Sequence, residues 1–297
     1  MMLKIALGLV FVVSAVLKIF DMDQFEIYIY SYHFFSLNFS FLVARAAIIV
    51  ELVLGLGLVF NIFHKLMWWG SVLMLLGYSL LLVYALMLGR TDNCHCFGDY
   101  LRFNPWQSLI KNAVLIGLFL LIYKVKGRRF TYQWPVLAGL VVACTVAVFA
   151  VNPPDNFTAA SDPAQELQLG PFNEAIQEAT LESYHLDEGK KVVGLFSSSC
   201  EYCKMAAHKL SLMLEYYGFP EKDVLYVFMG SEEGVERFFK ESESTRYQYV
   251  LYEDVRTLLQ ITNGNFPLIV LLDDGALVHE YGFRNMDEGE IKAFLRR

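Results

Sequence analysis

Five long apolar stretches constrain this chain more than any other feature of its sequence. Each is about 18 residues or longer, which is the length that a helix needs to cross the hydrocarbon core of a bilayer. Because lipid offers no hydrogen-bond partners to a backbone, such a segment crosses as a helix. We therefore predict five transmembrane helices, at Leu3–Phe20, Ser40–Phe63, Leu66–Gly89, Trp106–Tyr123 and Trp134–Val151.

Composition and charge divide the chain into two parts. Apolar residues make up 56% of the 297 residues, more than the roughly 45–50% of a soluble domain. Up to Asn152 there are 11 Lys and Arg against 6 Asp and Glu, whereas the remainder has 13 against 25. We predict a membrane part surrounded by lipid and an acidic, water-soluble part. The soluble part lacks a basic, aromatic-interleaved surface, so we expect no nucleic-acid partner.

A basic loop sets the orientation in the membrane. Short loops rich in Lys and Arg stay in the cytoplasm, and one such loop lies between the fourth and fifth predicted spans, with Lys124, Lys126, Arg128 and Arg129. Counting from it, the N-terminus is cytoplasmic, and the Cys94–Cys96 loop and everything after Asn152 lie outside. We predict a protein of the cell (inner) membrane with a periplasmic C-terminal domain. Both cysteine pairs then share one oxidising compartment.

The segment after the first span is also informative. Asp21-Met22-Asp23 follows that span where a cleaved signal peptide would have small residues, so we predict a retained helix. The whole segment Asp21–Asn38 is aromatic and acidic, which is typical of the membrane interface. We predict an interfacial loop there.

The soluble part contains the motif Cys200-Glu201-Tyr202-Cys203, directly after an apolar strand and at the start of a helical pattern. The N-terminus of a helix favours a thiolate, so we expect Cys200 to be the attacking nucleophile and Cys203 the buried resolving thiol. Zinc would need four ligands, and only His208 is near the pair. The strand–turn–helix context favours redox chemistry over a metal site.

The remaining segments of the soluble part alternate between helical and strand patterns. Helices are predicted at Asn173–Tyr184, Glu232–Lys240, Asp254–Ile261 and Asp287–Phe294, and strands at Lys190–Phe196, Asp223–Met229, Tyr247–Tyr252, Phe266–Leu272 and Ala276–Tyr281. With C-x-x-C after the first strong strand and a proline at the head of a late one, this order resembles the thioredoxin fold, most closely its membrane-tethered TlpA-like branch.

That resemblance implies roles for further residues. Pro267 would be the cis proline that faces the disulfide, and Phe266 and Tyr202 would shape the substrate-docking surface. Two departures from the family stand beside the motif: Ser198-Ser199 replaces a frequent tryptophan, and Glu201-Tyr202 replaces Gly-Pro. The family's redox potential therefore does not transfer to this chain.

Three short motifs of the membrane part carry a second resemblance. They are Lys18-x-x-Asp21 with Phe25, Glu51-x-x-x-Gly55, and Cys94-x-Cys96-Phe97-Gly98. Together they resemble the MauE branch of the DoxX-like membrane proteins, over about residues 1–130. The resemblance implies disulfide handling during maturation of an exported enzyme, beside a thioredoxin-like partner that is fused to the chain here.

The predicted fold class is therefore a membrane α-helical bundle, four-helix and DoxX/MauE-like with a fifth tethering span, followed by an α/β thioredoxin-fold domain. We expect the four-helix domain at residues 1–130, the fifth helix at 131–152, a Pro-containing linker at 153–168 and the thioredoxin-like domain at 169–297.

The Cys94-His95-Cys96 loop admits two interpretations. With one residue between them, the two cysteines close a small ring whose strain makes the disulfide easily reduced. In a metal site, His95 and Asp99 would be further ligands. Adjacent Cys, His and Cys face one metal only if the backbone bends sharply, so we favour thiol exchange. Cys144, in the fifth span, is interpreted as a small apolar filler.

Besides Lys4 at the start of the first span, four charged residues fall inside the predicted spans: Lys18, Arg45, Glu51 and Lys111. Charges at such depth are costly and are usually paired or functional. In one hypothesis the cations form a floor under the cysteine loop that stabilises a thiolate or a quinol anion. In the other, Lys18 snorkels to the interface and Glu51 ties Lys111 to its neighbour.

Taken together, the motifs predict a membrane-bound thiol–disulfide oxidoreductase. Electrons would pass between extracytoplasmic protein thiols or disulfides, the Cys200–Cys203 pair and the Cys94–Cys96 pair. No tightly bound cofactor is expected; a quinone is the expected terminal partner, because apart from Cys144 no cysteine lies within reach of the cytoplasm. The alternative is copper or zinc handling at Cys94-His95-Cys96, and a third interpretation makes the helices a mere anchor.

Overall fold

The computed structural model describes residues 2–90, 93–94, 96–99, 103–123, 132–154 and 167–296. The chain divides into two compact units, Met1–Pro154 and Asp155–Arg297. Each unit has its own apolar core.

The first unit is helical. Its elements are α1 (Met2–Phe20), α2 (Met22–Tyr30), α3 (Leu37–Val59), α4 (His64–Met87), the short strand β1 (Cys96–Asp99), α5 (Pro105–Ile122) and α6 (Gln133–Val151). All of these helices except α2 are long and apolar enough to cross a membrane. The five predicted spans are thus confirmed as helices, with ends that differ by a few residues.

Helix α2 corrects the sequence prediction of a loop at Asp21–Asn38. Its aromatic residues recur at helical spacing, and Met22, Phe25 and Tyr28 are buried in one apolar cluster with residues of α1 and α3. The segment therefore forms an amphipathic helix packed on the bundle, because its apolar face is covered by protein.

Helices α1 and α3 approach each other closely at two glycines. A Cβ atom on Gly55 would lie 2.8 Å from the Gly8 carbonyl oxygen, and one on Gly8 would lie 2.7 Å from the Gly55 oxygen. Small residues of this kind let helix backbones pack tightly in lipid, where hydrophobic association is weak. The same contact brings Ser14 and Lys18 of α1 against Glu51 of α3.

We expect Gly55→Leu to destabilise the helical unit by about 1–3 kcal/mol, because the side chain meets backbone and no flexible neighbour gives way. Thermal unfolding of the purified protein in detergent measures this effect. Gly117→Leu is the matched control, since a Cβ there meets nothing within 4 Å. Equal melting temperatures for the two variants would contradict the close approach of α1 and α3.

The second unit is an α/β domain. Its helices are α7 (Leu169–Ile176), α8 (Ala179–Glu182), α9 (Glu201–Tyr217), α10 (Glu232–Ser242), α11 (Val255–Ile261) and α12 (Glu288–Arg296), with a 3₁₀ turn at Glu221–Asp223. Its strands are β2 (Lys190–Ser197), β3 (Val224–Met229), β4 (Gln248–Leu251), β5 (Leu268–Asp273) and β6 (Ala276–Tyr281). The sheet order is β4-β3-β2-β5-β6.

The pairing directions identify the fold. Strands β2, β3 and β4 are parallel, whereas β5 runs antiparallel to β2 and β6 antiparallel to β5. A central β2 followed by a helix, with a late antiparallel hairpin at the other edge, resembles a thioredoxin fold. The predicted fold class is confirmed.

One predicted helix is wrong. The segment Asn173–Tyr184 forms two short helices, α7 and α8, because Glu178 between them takes an extended conformation. The carboxylate of Glu178 accepts a hydrogen bond of 2.7 Å from the Tyr252 hydroxyl. This contact holds the break in place, and it depends on a residue far away in the sequence.

Candidate redox site

Cys200 caps the N-terminus of α9. Its backbone is extended, with φ −84° and ψ 121°, and its sulfur accepts a hydrogen bond of 3.2 Å from the Cys203 amide. The amide of Cys200 in turn donates to the Ser197 carbonyl at the end of β2. The strand, the turn and the helix start therefore fix the position of the first sulfur.

The two cysteines of this motif differ in acidity. The Cys203 thiol donates to Cys200, and together with the amides of Cys203 and Tyr202 it lowers the pKa of Cys200 to about 6, against the opposing effects of burial and the Glu201 charge. Cys203 is fully buried, and burial together with the hydrogen bond to Cys200 raises its pKa. This difference in pKa is what the predicted roles require, with Cys200 as the attacking thiolate and Cys203 as the protonated resolving thiol.

The alkylation rate of Cys200 should therefore follow a titration with a midpoint near pH 6. Above the midpoint the thiolate dominates and the rate is at its plateau; below it the rate falls about tenfold per pH unit as the sulfur is protonated. Iodoacetamide labelling of the reduced protein, read by mass spectrometry of the Cys200 peptide, measures this. Cys203→Ala should move the midpoint upward, since it removes the thiol donor. A midpoint above 8 in the unmodified protein would contradict the cap geometry.

Pro267 lies at the same end of the sheet as Cys200. Leu268, the first residue of β5, pairs with Leu195 of the antiparallel β2. Pro267 therefore lies beside the last residues of β2, a strand that ends at Ser197, three residues before Cys200. The Phe266–Pro267 peptide bond is cis, as the resemblance implies. Phe266 is half-buried and packs against the domain core.

Tyr202 presents an aromatic surface next to the nucleophile. Its side chain is 48% exposed, and its ring lies 5.5 Å from that of Phe283. The Arg284 guanidinium lies over both rings. Phe283 is itself buried, so it supports the exposed Tyr202 ring from below. An exposed aromatic ring beside a cation suits contact with a protein substrate.

The negative charge of Glu201, which the sequence sets beside the nucleophile, is partly compensated. Lys204 of the same helix forms ion pairs of 2.6 Å with both Glu201 and Glu241. A cation placed between two carboxylates draws the Glu201 charge away from the sulfur and limits its effect on the thiolate.

The second cysteine pair is held between α1 and α5. The Cys94 amide donates to the Phe103 carbonyl at 3.0 Å, and the Asn93 side chain bonds both Gly98 and Phe103 across the loop. The Cys94 sulfur lies 2.8 Å from the Ser108 hydroxyl of α5. The Cys96 carbonyl accepts a bond of 2.8 Å from the Ser14 hydroxyl of α1.

The two thiols of this loop also differ. A hydrogen bond from Cys94 lowers the pKa of Cys96, as do the nearby cations Lys111 and Lys18, whereas burial and Glu51 act against them. The same bond, together with burial, raises the pKa of Cys94. These effects favour the thiolate at Cys96 over that at Cys94, and they come from residues of three helices.

The structure corrects which charged residues lie near the cysteine loop and which groups they bind. Lys18 is 2% exposed and does not snorkel: its ammonium binds Glu51 at 2.7 Å and the Ser14 hydroxyl at 2.9 Å. Glu51 therefore pairs with Lys18 and not with Lys111, the partner that the second hypothesis gave it. The Lys111 ammonium lies 4.6 Å from the centre of the Phe97 ring. Ser14 was missed, although it precedes Lys18 by one helical turn.

Arg45 stabilises the fold and does not belong to the cations near the cysteine loop. It forms a buried ion pair with Glu26 and donates to the carbonyls of Asn152 and Pro153 at 3.0 Å each. The equal depth of Arg45 and Lys111 in the sequence suggested a common site, but the two side chains face different neighbours. Arg45 fastens the end of α6 to the bundle.

The remaining predictions concern Cys144 and a metal site at the cysteine loop. Cys144 is buried in α6 and packs with Ala44, Ile48 and Val148, which agrees with an apolar filler. The metal interpretation needs His95, which lies outside the described residues. Within the described ranges, no three His, Cys, Asp or Glu side chains converge on one point.

The cysteine loop and the exit of the chain toward the second unit lie at the same end of the helical unit. The loop contacts α1 near its end, through Ser14 to Cys96 and through Gly98, where a Cβ would lie 3.1 Å from Asp21. Asn152, which follows α6, donates to the Ile19 carbonyl at 2.8 Å. Both segments are thus anchored on the last turns of α1.

Comparisons with known proteins found relatives of both parts of the chain. Residues 1–124 match the family model described as methylamine utilisation protein MauE, which confirms the resemblance of the membrane part. The protein TlpB of Flavobacterium psychrophilum is 26% identical over 306 aligned positions, covering 84% of this chain and 82% of that protein.

A solved structure also resembles part of the chain. It is the thioredoxin domain of a thiol-disulfide oxidoreductase from Bacteroides vulgatus, with 19% identity, a TM-score of 0.31, and coverage of 39% of this chain and 84% of that one. The assignment of the thioredoxin fold to residues 167–296 follows from the sheet order and pairing directions described above.

Proposed function

We propose that this chain, which joins a MauE-like membrane unit to a thioredoxin-fold unit, is a membrane-bound thiol–disulfide oxidoreductase with two coupled cysteine pairs. The observation that carries the proposal is that each pair combines a half-buried sulfur whose pKa is lowered with a buried sulfur whose pKa is raised. This asymmetry is what stepwise exchange through a mixed disulfide requires.

The first couple would act on proteins outside the cytoplasm. In the direction of oxidation, a substrate thiolate attacks the Cys200 sulfur of the Cys200–Cys203 disulfide, and Cys203 leaves. A second substrate thiolate then attacks its own sulfur of the mixed disulfide, so that the substrate gains one disulfide and the protein two thiols. In the reverse direction, Cys200 attacks and Cys203 resolves the intermediate. Phe266 and Tyr202 would border the docking surface.

The second couple would exchange with the first. The Cys200 thiolate attacks a Cys94–Cys96 disulfide at Cys96, and Cys203 releases the mixed disulfide, which leaves two thiols in the membrane unit and one disulfide in the soluble unit. Because the linker begins at the end of the bundle that holds the cysteine loop, this step is intramolecular. With the basic loop at residues 124–129 in the cytoplasm, both couples would face the periplasm.

Trapping with Cys203→Ser tests this route. The variant lacks the resolving thiol, so the mixed disulfide on Cys200 should accumulate, and mass spectrometry should find Cys200 joined to Cys96 within one chain as well as to exported proteins. The matched control is Cys144→Ser, which leaves both pairs intact. If no Cys200–Cys96 or Cys200–Cys94 peptide forms while exported proteins are captured, the coupling of the two pairs is wrong and the helices act as an anchor.

A further inference from the structure

A cavity of about 180 Å³ adjoins the second cysteine pair inside the helical unit. Its wall is formed by side chains of α1 to α5 and by the cysteine loop, and it is largely aromatic and aliphatic, with Phe25, Tyr28, Leu75 and Leu115 among its members. An apolar cavity of about 150 Å³ holds a benzene molecule in another protein. This cavity is therefore large enough for one substituted six-membered ring.

A few polar groups converge on this apolar cavity. Cys96 and Lys111 both line it, and the Lys111 ammonium contacts the Phe97 ring in the same wall. Tyr78 lines it too, and its buried hydroxyl has no hydrogen-bond partner among the described residues. A mostly apolar wall with a few convergent polar groups is typical of a site for a small ligand. A phenol hydroxyl and an ammonium would both donate to a carbonyl oxygen.

The rim of the cavity is apolar and exposed. Phe34 is 55% exposed and Phe35 39% exposed, and both border the cavity. Gly77 also borders it, and a Cβ there would meet nothing within 4 Å. Since Phe34 and Phe35 lie between α2 and α3 and Gly77 lies in the span α4, the opening is reached from the lipid.

We propose that this cavity binds the head group of a membrane quinone, with the carbonyl oxygens near Lys111 and Tyr78 and the ring beside Cys96. This inference rests on the proposed function, in which Cys94 and Cys96 are redox-active, and it names their electron acceptor. A ligand that enters from lipid, carries hydrogen-bond acceptors on an apolar ring and accepts electrons from thiols fits the exposed rim, the apolar wall and the donors Lys111 and Tyr78. The Glu51 carboxylate in the same wall is paired with Lys18.

The reaction balances without a further reagent. The sulfurs of Cys94 and Cys96 lose two electrons and form one disulfide bond. The quinone takes up two electrons and two protons, and its two carbonyls become the hydroxyls of a hydroquinone. One proton comes from the Cys94 thiol, and because Cys96 reacts as a thiolate the second is taken up from water. Lys111 stabilises negative charge on the oxygen that is reduced first. Exchange with Cys200–Cys203 then returns the loop to its reduced state.

The full chain carrying Cys200→Ser and Cys203→Ser isolates this step from the exchange between the pairs. The protein is reduced with dithiothreitol, freed of reductant and mixed with decylubiquinone without oxygen. We expect one hydroquinone per chain and loss of two thiols, and neither when Cys94 and Cys96 are also replaced by serine. Equal hydroquinone yields with and without Cys94 and Cys96 would overturn the proposal.

Two glycine substitutions locate the site. In the same background, Gly77→Phe should slow decylubiquinone reduction at least tenfold by filling the rim, whereas Gly117→Phe should not change it, because a Cβ at either glycine meets open space and only Gly77 borders the cavity. Equal rates would overturn the assignment of the cavity.

Binding gives a readout that is independent of turnover. Equilibrium dialysis of menadione against the oxidised protein should show a Kd raised about 3- to 10-fold by Tyr78→Phe, the loss of one hydrogen bond, and unchanged by Tyr84→Phe. An unchanged Kd in Tyr78→Phe would overturn the placement of the ring.

If decylubiquinone is reduced but the Cys203→Ser trap finds no link to Cys96, the quinone site stands and the coupling of the pairs fails. The opposite pair of results removes the quinone site alone.

Discussion

Replacing Cys200 by serine should abolish disulfide exchange by the soluble unit, with a rate at least about a thousandfold below that of the unmodified protein, because loss of a catalytic nucleophile commonly costs that much or more. A serine hydroxyl is not ionised at neutral pH, whereas the pKa of Cys200 is held at about 6 by donors from Cys203 and Tyr202. Reduction of insulin disulfides with dithiothreitol as electron source measures the rate.

The control for this prediction separates chemistry from folding. Cys144→Ser removes a thiol that packs in the helical core and belongs to neither pair, and it should keep the full rate. Circular dichroism should show that both variants are folded. Residual exchange in Cys200→Ser above a tenth of the original rate would mean that Cys203 attacks directly, which its burial argues against.

Replacing Arg45 by methionine should lower the free energy of unfolding of the helical unit by about 3–5 kcal/mol, since it leaves the buried Glu26 carboxylate without its cation. The side chains are 2% and 3% exposed, so solvent does not take over the role of the lost partner. The change also frees the carbonyls of Asn152 and Pro153, so the end of α6 should become sensitive to protease. Unfolding in detergent and limited proteolysis measure the two effects.

Two further variants define what that result means. Lys65→Met removes an exposed cation and should be neutral. Glu26→Gln combined with Arg45→Met removes both charges and should recover much of the lost stability. If Arg45→Met melted like the unmodified protein but slowed thiol exchange at Cys96, Arg45 would belong to the cysteine site after all.

Local patterns carried the successful predictions. A hydrophobic run long enough to span a bilayer gives a helix whatever surrounds it, and the acidity of Cys200 follows from its place at the start of a helix. The two glycines of the C-x-C-Phe-Gly and Glu-x-x-x-Gly motifs differ in this respect, because the reason for Gly98 is local and that for Gly55 is a contact with another helix. Gly98 adopts φ +61°, and Gly55 contacts a neighbouring backbone.

The partners of the buried charges could not be predicted in this way. Position along a span gives the depth of a side chain but not the direction in which it points around the helix. Arg45 and Lys111 have similar depths, yet one binds Glu26 and the other contacts Phe97. The roles of Cys94 and Cys96 likewise depend on Ser108 and on cations of other helices, which no spacing within the motif reveals.

Because Arg45 anchors the end of α6, it fixes the point at which the linker to the soluble unit begins. From Pro154 to Leu167 the chain has too few residues to extend beyond about 45 Å. In the proposed route, each Cys94–Cys96 loop would therefore exchange with the soluble unit of its own chain. A bystander thioredoxin would have to reach concentrations on the order of millimolar to compete. Electrons would therefore be transferred within each molecule, with little competition from other dithiols in the same compartment.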